Sequence, residues 1–183
     1  MTTSNDHVDE FFSFLLEFVS ESDRAAVVLG ASMIDEQLKT LLSNTLLPSR
    51  DKQDDLLEGD RPLATFSARI RVAYRLGLIS ADLAQSLDII RTLRNVFAHK
   101  IKTGSLKTVP HKDRVAELIR PLLGGKGYER LKPIIEGKMT KPHRSSVDFR
   151  VGLAVVASRL MEAIRQSQPL SRSNGVGLVP EAW

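Results

Sequence analysis

The sequence contains no cysteine. That removes disulfides, thiolate metal ligands and cysteine nucleophiles together, and it suits a reducing compartment. Aromatics are scarce: 7 Phe, 2 Tyr and 1 Trp in 183 residues leave little for stacking nucleic-acid bases. Histidine is scarce too. His7, His99, His111 and His143 share no metal-ligand spacing, so they read as exposed or capping residues, and neither a metal nor a cofactor is expected. No apolar run approaches the roughly 20 residues of a membrane span. The stretch from Phe11 to Val19 lies among Asp6, Asp9, Glu10 and Glu17, with no basic segment before it, which argues against a signal peptide. The expectation is a soluble cytoplasmic protein without membrane contacts. The Gly124-Gly-Lys-Gly127 run lacks the spacing of a phosphate loop, and no nucleophile elbow or carboxylate pair stands out.

Charge is present but unevenly placed. Residues 1–60 carry 4 basic and 13 acidic side chains. Residues 61–120 carry 12 basic and 4 acidic, and residues 121–183 carry 10 and 5. Acidic and basic helices facing each other, within one fold or across a dimer, account for this pattern. A basic surface for nucleic acid is the alternative.

Helical period runs through most of the chain. Asp6 can cap a first helix with Phe11, Phe14, Leu15 and Phe18 on one face. Ser22 can cap a second, where Val27, Ala31, Ile34, Leu38 and Leu41 recur at three- and four-residue steps. Pro62 opens a helix to Leu76 with Phe66, Ile70, Ala73 and Tyr74 inward, and Gly77 stops it. Ser80 caps the next, whose apolar face is Leu83, Leu87, Ile90, Leu93 and Phe97. A short helix is expected from Asp113 to Leu123. Residues 124–146, rich in Gly and Pro, read as a long connection with a helical turn at Tyr128 to Ile135. Ser146 then caps a last helix to Gln168, with Phe149, Leu153, Val156, Leu160 and Ile164 inward. The fold class is all-α, an irregular multi-helix bundle in a single domain over 1–168. A flexible C-terminal tail is expected over 169–183.

The segment Ile89 to His99 draws the eye because it sets Arg91, Arg94, Asn95 and His99 into an apolar helix. Buried polar groups are costly unless paired. Arg94 lies at the edge of the apolar face, and Asp35 flanks the stripe of the second helix. A pair between Arg94 and Asp35 would lock the two helices. The spacing Arg94-x4-His99 also resembles the motif of HEPN-type ribonucleases, helical proteins that place two such motifs across a dimer cleft. That resemblance implies Arg94, Asn95 and His99 as catalytic residues on RNA: histidine moves the proton and arginine holds charge on phosphorus.

A helix-turn-helix is the second candidate, with Gly77 at the turn. Its would-be recognition helix begins Ser80-Ala-Asp-Leu-Ala-Gln-Ser-Leu-Asp88, with two acids, no base and Gln85 alone suited to reading a base edge. Direct DNA reading is therefore not expected.

Several segments together resemble the mannitol operon repressor family of bacterial helical proteins. They are Asp23-Arg-Ala-Ala26, Asp35-Glu-Gln-Leu38, Pro62-Leu-Ala-Thr-Phe-Ser-Ala-Arg-Ile70, Ala73-Tyr-Arg-Leu-Gly-Leu-Ile79, Ile90-Arg-Thr-Leu-Arg-Asn-Val-Phe-Ala-His99 and Phe149-Arg-Val-Gly-Leu-Ala154. The resemblance implies a non-enzymatic transcriptional regulator without a DNA-binding domain, acting through a protein partner. Arg24, Asp35, Arg69, Arg94 and His99 would lock the central helices or line a groove between them. The expectations beside it are a metal-independent ribonuclease, which needs a homodimer, and a non-catalytic nucleic-acid binder.

Overall fold

A computed structural model describes residues 19–49, 54–99 and 104–171. Among these residues lie six α-helices: α1 (Asp23–Thr45), α2 (Phe66–Arg75), α3 (Ala81–His99), α4 (His111–Ile119), α5 (Lys126–Lys138) and α6 (Arg144–Gln166). A single 3-10 turn, Arg120–Leu122, follows α4. Among the described residues there is no strand, so the fold is all-α. The expected helix after Asp6 lies outside the described residues, as does the tail beyond Ser171.

α1 is the central post. Ser22 Oγ accepts from Ala25 N at 3.2 Å, and Asp23 sits in the first turn, where the helix dipole favours an anion. Its stripe of Val27, Ala31, Ile34, Leu38 and Leu41 is at most 1% exposed. The two ends of the bundle follow from hydrogen bonds. Arg24 Nη2 donates to Ala98 O at 3.3 Å, so α3 runs antiparallel to α1. Leu170 N donates to Thr45 O at 2.8 Å, while Asp23 meets Ser146 and Arg150, so α6 runs parallel to it. The core between them is closed by Leu87, Ile90, Leu93 and Phe97 from α3 and by Phe149, Leu153, Val156 and Leu160 from α6.

α2 starts at Phe66 rather than at Pro62. Thr65 caps it by accepting from Ala68 N at 3.2 Å, which leaves Pro62 to Ala64 in a turn. Phe66, Ile70 and Ala73 face inward as expected, but Tyr74 is 47% exposed. Gly77 follows with φ of +72°, and Leu78 N bonds back to Ala73 O at 2.9 Å. A side chain there would be strained, so glycine makes the turn into α3. Ser80 Oγ accepts from Leu83 N at 3.3 Å and caps α3 as read from the sequence.

Residues 124–146 differ from the expectation. They contain a full 13-residue helix, α5, despite Pro133 inside it. Its carrier is packing: Tyr128 and Ile135 are buried with Ile119, Val147 and Val151 in a second apolar cluster. That burial outweighs the helix bond Pro133 cannot donate. The last helix is capped by His143, not Ser146. The His143 Nδ1 accepts from Ser146 N at 3.2 Å. α6 crosses α4 closely at Gly152, where an added Cβ would lie 3.0 Å from Leu118 Cδ2.

Candidate functional site

Two buried polar clusters and one exposed helix end hold the residues of interest. The first cluster is built on Arg69, which faces inward from α2. Nη1 donates to Asp35 Oδ1 at 2.8 Å, Nε to Leu63 O at 3.0 Å and Nη2 to Leu57 O at 3.2 Å. One guanidinium therefore ties the 54–64 connection to α1. Burial pushes the Asp35 carboxyl above the usual range, and the bond from Arg69 offsets only part of that push.

The expected pair of Arg94 with Asp35 is not formed. Arg69 reaches the carboxylate first, because α2 packs across that side of α1. Arg94 is exposed and donates to Asn95 Oδ1 at 3.2 Å. His99, at the end of α3, is exposed as well. Arg91 pairs with Asp88 at 3.0 Å along the same helix. Arg94, Asn95 and His99 thus share the last turns of α3 on its accessible side, while Arg24 braces that end through Ala98 O. Of the five polar residues singled out in the sequence, Asp35 and Arg69 form one bond, Arg24 holds the end of α3, and Arg94 and His99 are exposed there, with Arg94 acting on Asp35 through charge alone.

The second cluster centres on Asp23. Its Oδ2 accepts from Leu106 N at 2.8 Å and lies 3.0 Å from His143 Nε2. Because Nδ1 of that ring accepts from Ser146 N, the proton sits on Nε2 and points at Asp23. Oδ1 accepts from Ser146 Oγ at 2.5 Å and from Arg150 Nη1 at 3.4 Å. Burial alone would raise the Asp23 carboxyl, but the Leu106, Ser146 and His143 bonds outweigh it and hold it below the usual range. Arg150 is only 1% exposed; burial lowers its pKa, and Asp23 restores part of the loss. Its Nη2 also donates to Glu21 O at 2.6 Å. Sequence reading passed over this cluster. The signals were an acid in a helix's first turn and an arginine at a core position of α6, flanked by Phe149 and Val151.

His111 also departs from expectation. It is 7% exposed, with its ring edge-on to Phe97 at 5.2 Å, so it is a core residue rather than an exposed or capping one. Among the described residues no group of His, Asp and Glu could hold a metal ion, and no helix is long and apolar enough to cross a membrane.

At the other end of α3, about 25 Å away by helical rise, a cleft of about 550 Å³ opens. Leu41, Ile79, Leu83 and Val156 line it, with Asp82 and Arg159 among them. The helix after Gly77 does not present a reading face. Gln85 is bonded to Glu117 of α4 at 3.1 Å, and Asp82 and Asp88 are exposed.

The described residues thus form an irregular all-helical bundle held by these internal clasps. No protein-family model matches the sequence, and no curated protein does. Among solved structures, the chain is similar to one in the X-ray structure of the MtlR-HPr complex from Escherichia coli. The TM-score is 0.57 at 18% identity, over 82% of this chain and 98% of that one. MtlR is a mannitol operon regulator. The resemblance read from the sequence therefore holds at the level of the fold.

Proposed function

We propose that this protein is a bacterial transcriptional regulator of the mannitol operon repressor kind, acting through a partner protein rather than by reading DNA itself. The observation that carries the reading is the likeness in fold, over 82% of the chain, to a regulator solved in complex with another protein. The side chains support it. The helix that would enter a major groove starts with exposed acids, and its Gln85 is bonded to Glu117. The polar residues of the core, Asp23, Asp35, Arg69 and Arg150, bond to one another and to backbone. A protein of the HPr kind is the first partner to try. Co-purification of the tagged chain with the HPr of its own host is the expected outcome, together with no operator shift by the chain alone. A sequence-specific shift by the purified chain overturns the reading.

The exposure of Arg94 and His99 favours a second reading, a metal-independent ribonuclease. Neither side chain is consumed by packing, and Asn95 holds the Arg94 head at 3.2 Å. One histidine per chain would require two copies to complete the acid and the base. Cleavage of single-stranded RNA with chelator present tests it.

A further inference from the structure

The second apolar cluster has a buried centre and a half-buried margin. Val19 is 2% exposed and packs there with Ile119 of α4, Tyr128 and Ile135 of α5, and Val147 and Val151 of α6. Leu122, Leu131, Met139 and Val155 pack around them and are only partly covered. Val147, Val151 and Val155 follow at four-residue steps, so the margin continues the buried stripe of α6 by one turn.

The chain itself leads to this margin. Phe18 is joined directly to Val19, so its Cα lies about 3.8 Å from that of a buried position. Residues 1–18 contain four of the seven phenylalanines, Phe11, Phe12, Phe14 and Phe18. At about 100° per residue, Phe11, Phe14, Leu15 and Phe18 fall on one side of a helix, with Asp6, Glu10 and Glu17 together on its flank. A helix from Val8 to Phe18 spans about 16 Å, and Val147 to Val155 along α6 spans about 12 Å. Charge agrees as well. Residues 1–18 carry four acids and no lysine or arginine. On α5, Lys126, Arg130 and Lys138 are exposed and form no ion pair with a described residue. The C-terminal segment fits less well. Leu170 is bonded to Thr45 O, at the opposite end of α1 from Asp23 and about 33 Å from it by helical rise. The Arg172 and Glu181 charges of that segment cancel.

We infer that residues 8–18 fold back as an amphipathic helix across α5 and α6, with Phe11, Phe14, Leu15 and Phe18 on the margin of the second cluster. The segment is then a strap that ties the start of α1 to the far side of the bundle. While it lies there, that apolar face is closed to a second copy and to any partner. The short link through Val19 keeps the segment at high effective concentration, so it outcompetes a free peptide of the same sequence. The inference does not depend on the partner reading above.

Hydrogen exchange of the whole chain, read by mass spectrometry at two protein concentrations, tests it. In the wild type the amides of residues 8–18 are expected to be protected, equally at both concentrations. The double variant Phe11→Ser, Phe14→Ser is expected to lose that protection. Exchange should also speed up in the 119–139 and 147–155 segments, while α1 and α3 keep their protection. The double variant Phe12→Ser, Leu16→Ser, outside the docking side, is expected to exchange like wild type. If the first double variant fails to fold, Phe11→Ser alone, at the end of the segment farther from Val19, gives the same reading. Amides of residues 8–18 that exchange at the open-chain rate in the wild type overturn the inference. So does protection that rises with protein concentration, which would make a second copy's segment the occupant. Protection lost in Phe12→Ser, Leu16→Ser but kept in Phe11→Ser, Phe14→Ser overturns it too.

Discussion

Arg69 Nη1 stands 2.8 Å from Asp35 Oδ1, and the same guanidinium holds the carbonyls of Leu57 and Leu63. A side chain from α2 thereby fixes both α1 and the connection that leads into α2. Removing it leaves a half-buried carboxylate and two carbonyls without their donor. Arg69→Ala is expected to cost about 3–5 kcal/mol in a urea melt, the range for breaking a buried pair. Arg94→Ala, at an exposed site, is expected to leave the midpoint where it was. Equal losses for the two variants would contradict this assignment.

Asp23 gives the fold an acid-sensitive joint. Its folded pKa lies below the ordinary carboxyl value of 3.8, so its contribution is complete above that value and is lost as pH falls through the folded pKa. Asp35 has the opposite sign. Its pKa is raised, so its contribution is largest below 3.8 and declines as pH rises through the folded value. Asp23→Asn should cost about 3–5 kcal/mol at neutral pH, because Arg150 is left buried without an anion. It should also flatten the acid limb of the stability curve. An acid limb identical to wild type would remove Asp23 from this role.

Tyr128 donates to Asp148 Oδ1 at 2.7 Å, and burial first, then that bond, pushes its phenol up to about 12. The folded state favours the protonated phenol, so this contribution is intact below pH 10 and is lost as pH rises towards 12. Tyr128→Phe is expected to cost about 1–3 kcal/mol at neutral pH, since a buried carboxylate loses its donor. The ultraviolet titration should then lose the tyrosinate step near 12. A Tyr128→Phe variant that keeps that step would contradict the assignment.

Much of the fold was legible in the sequence because burial imposed a period on it. The stripes of α1 and α3, the Ser22 and Ser80 caps and the stop at Gly77 follow from short-range rules. α5 was not legible over its full length, since Gly and Pro obscure its pattern while only Tyr128 and Ile135 are buried. The polar partners were hardest to read. Both Arg69 and Arg94 lie within reach of the α1 face on sequence grounds, and only the position of α2 decides which one takes Asp35. Asp23 gathers residues more than 80 positions away in the chain, and no local pattern reports a bond of that span.

The exposed end of α3 separates the two functional readings. The regulator reading predicts that the wild type leaves single-stranded RNA intact in the presence of chelator. Cleavage by wild type, lost in both Arg94→Ala and His99→Ala while their melts are unchanged, would make that end catalytic.

The most direct measurement of the central claim is a calorimetric titration of the whole chain with HPr from its own host, run beside a titration with operator DNA. The account predicts saturable heat with the protein and none with the DNA. Saturable, sequence-dependent binding to DNA with no heat from HPr would contradict it.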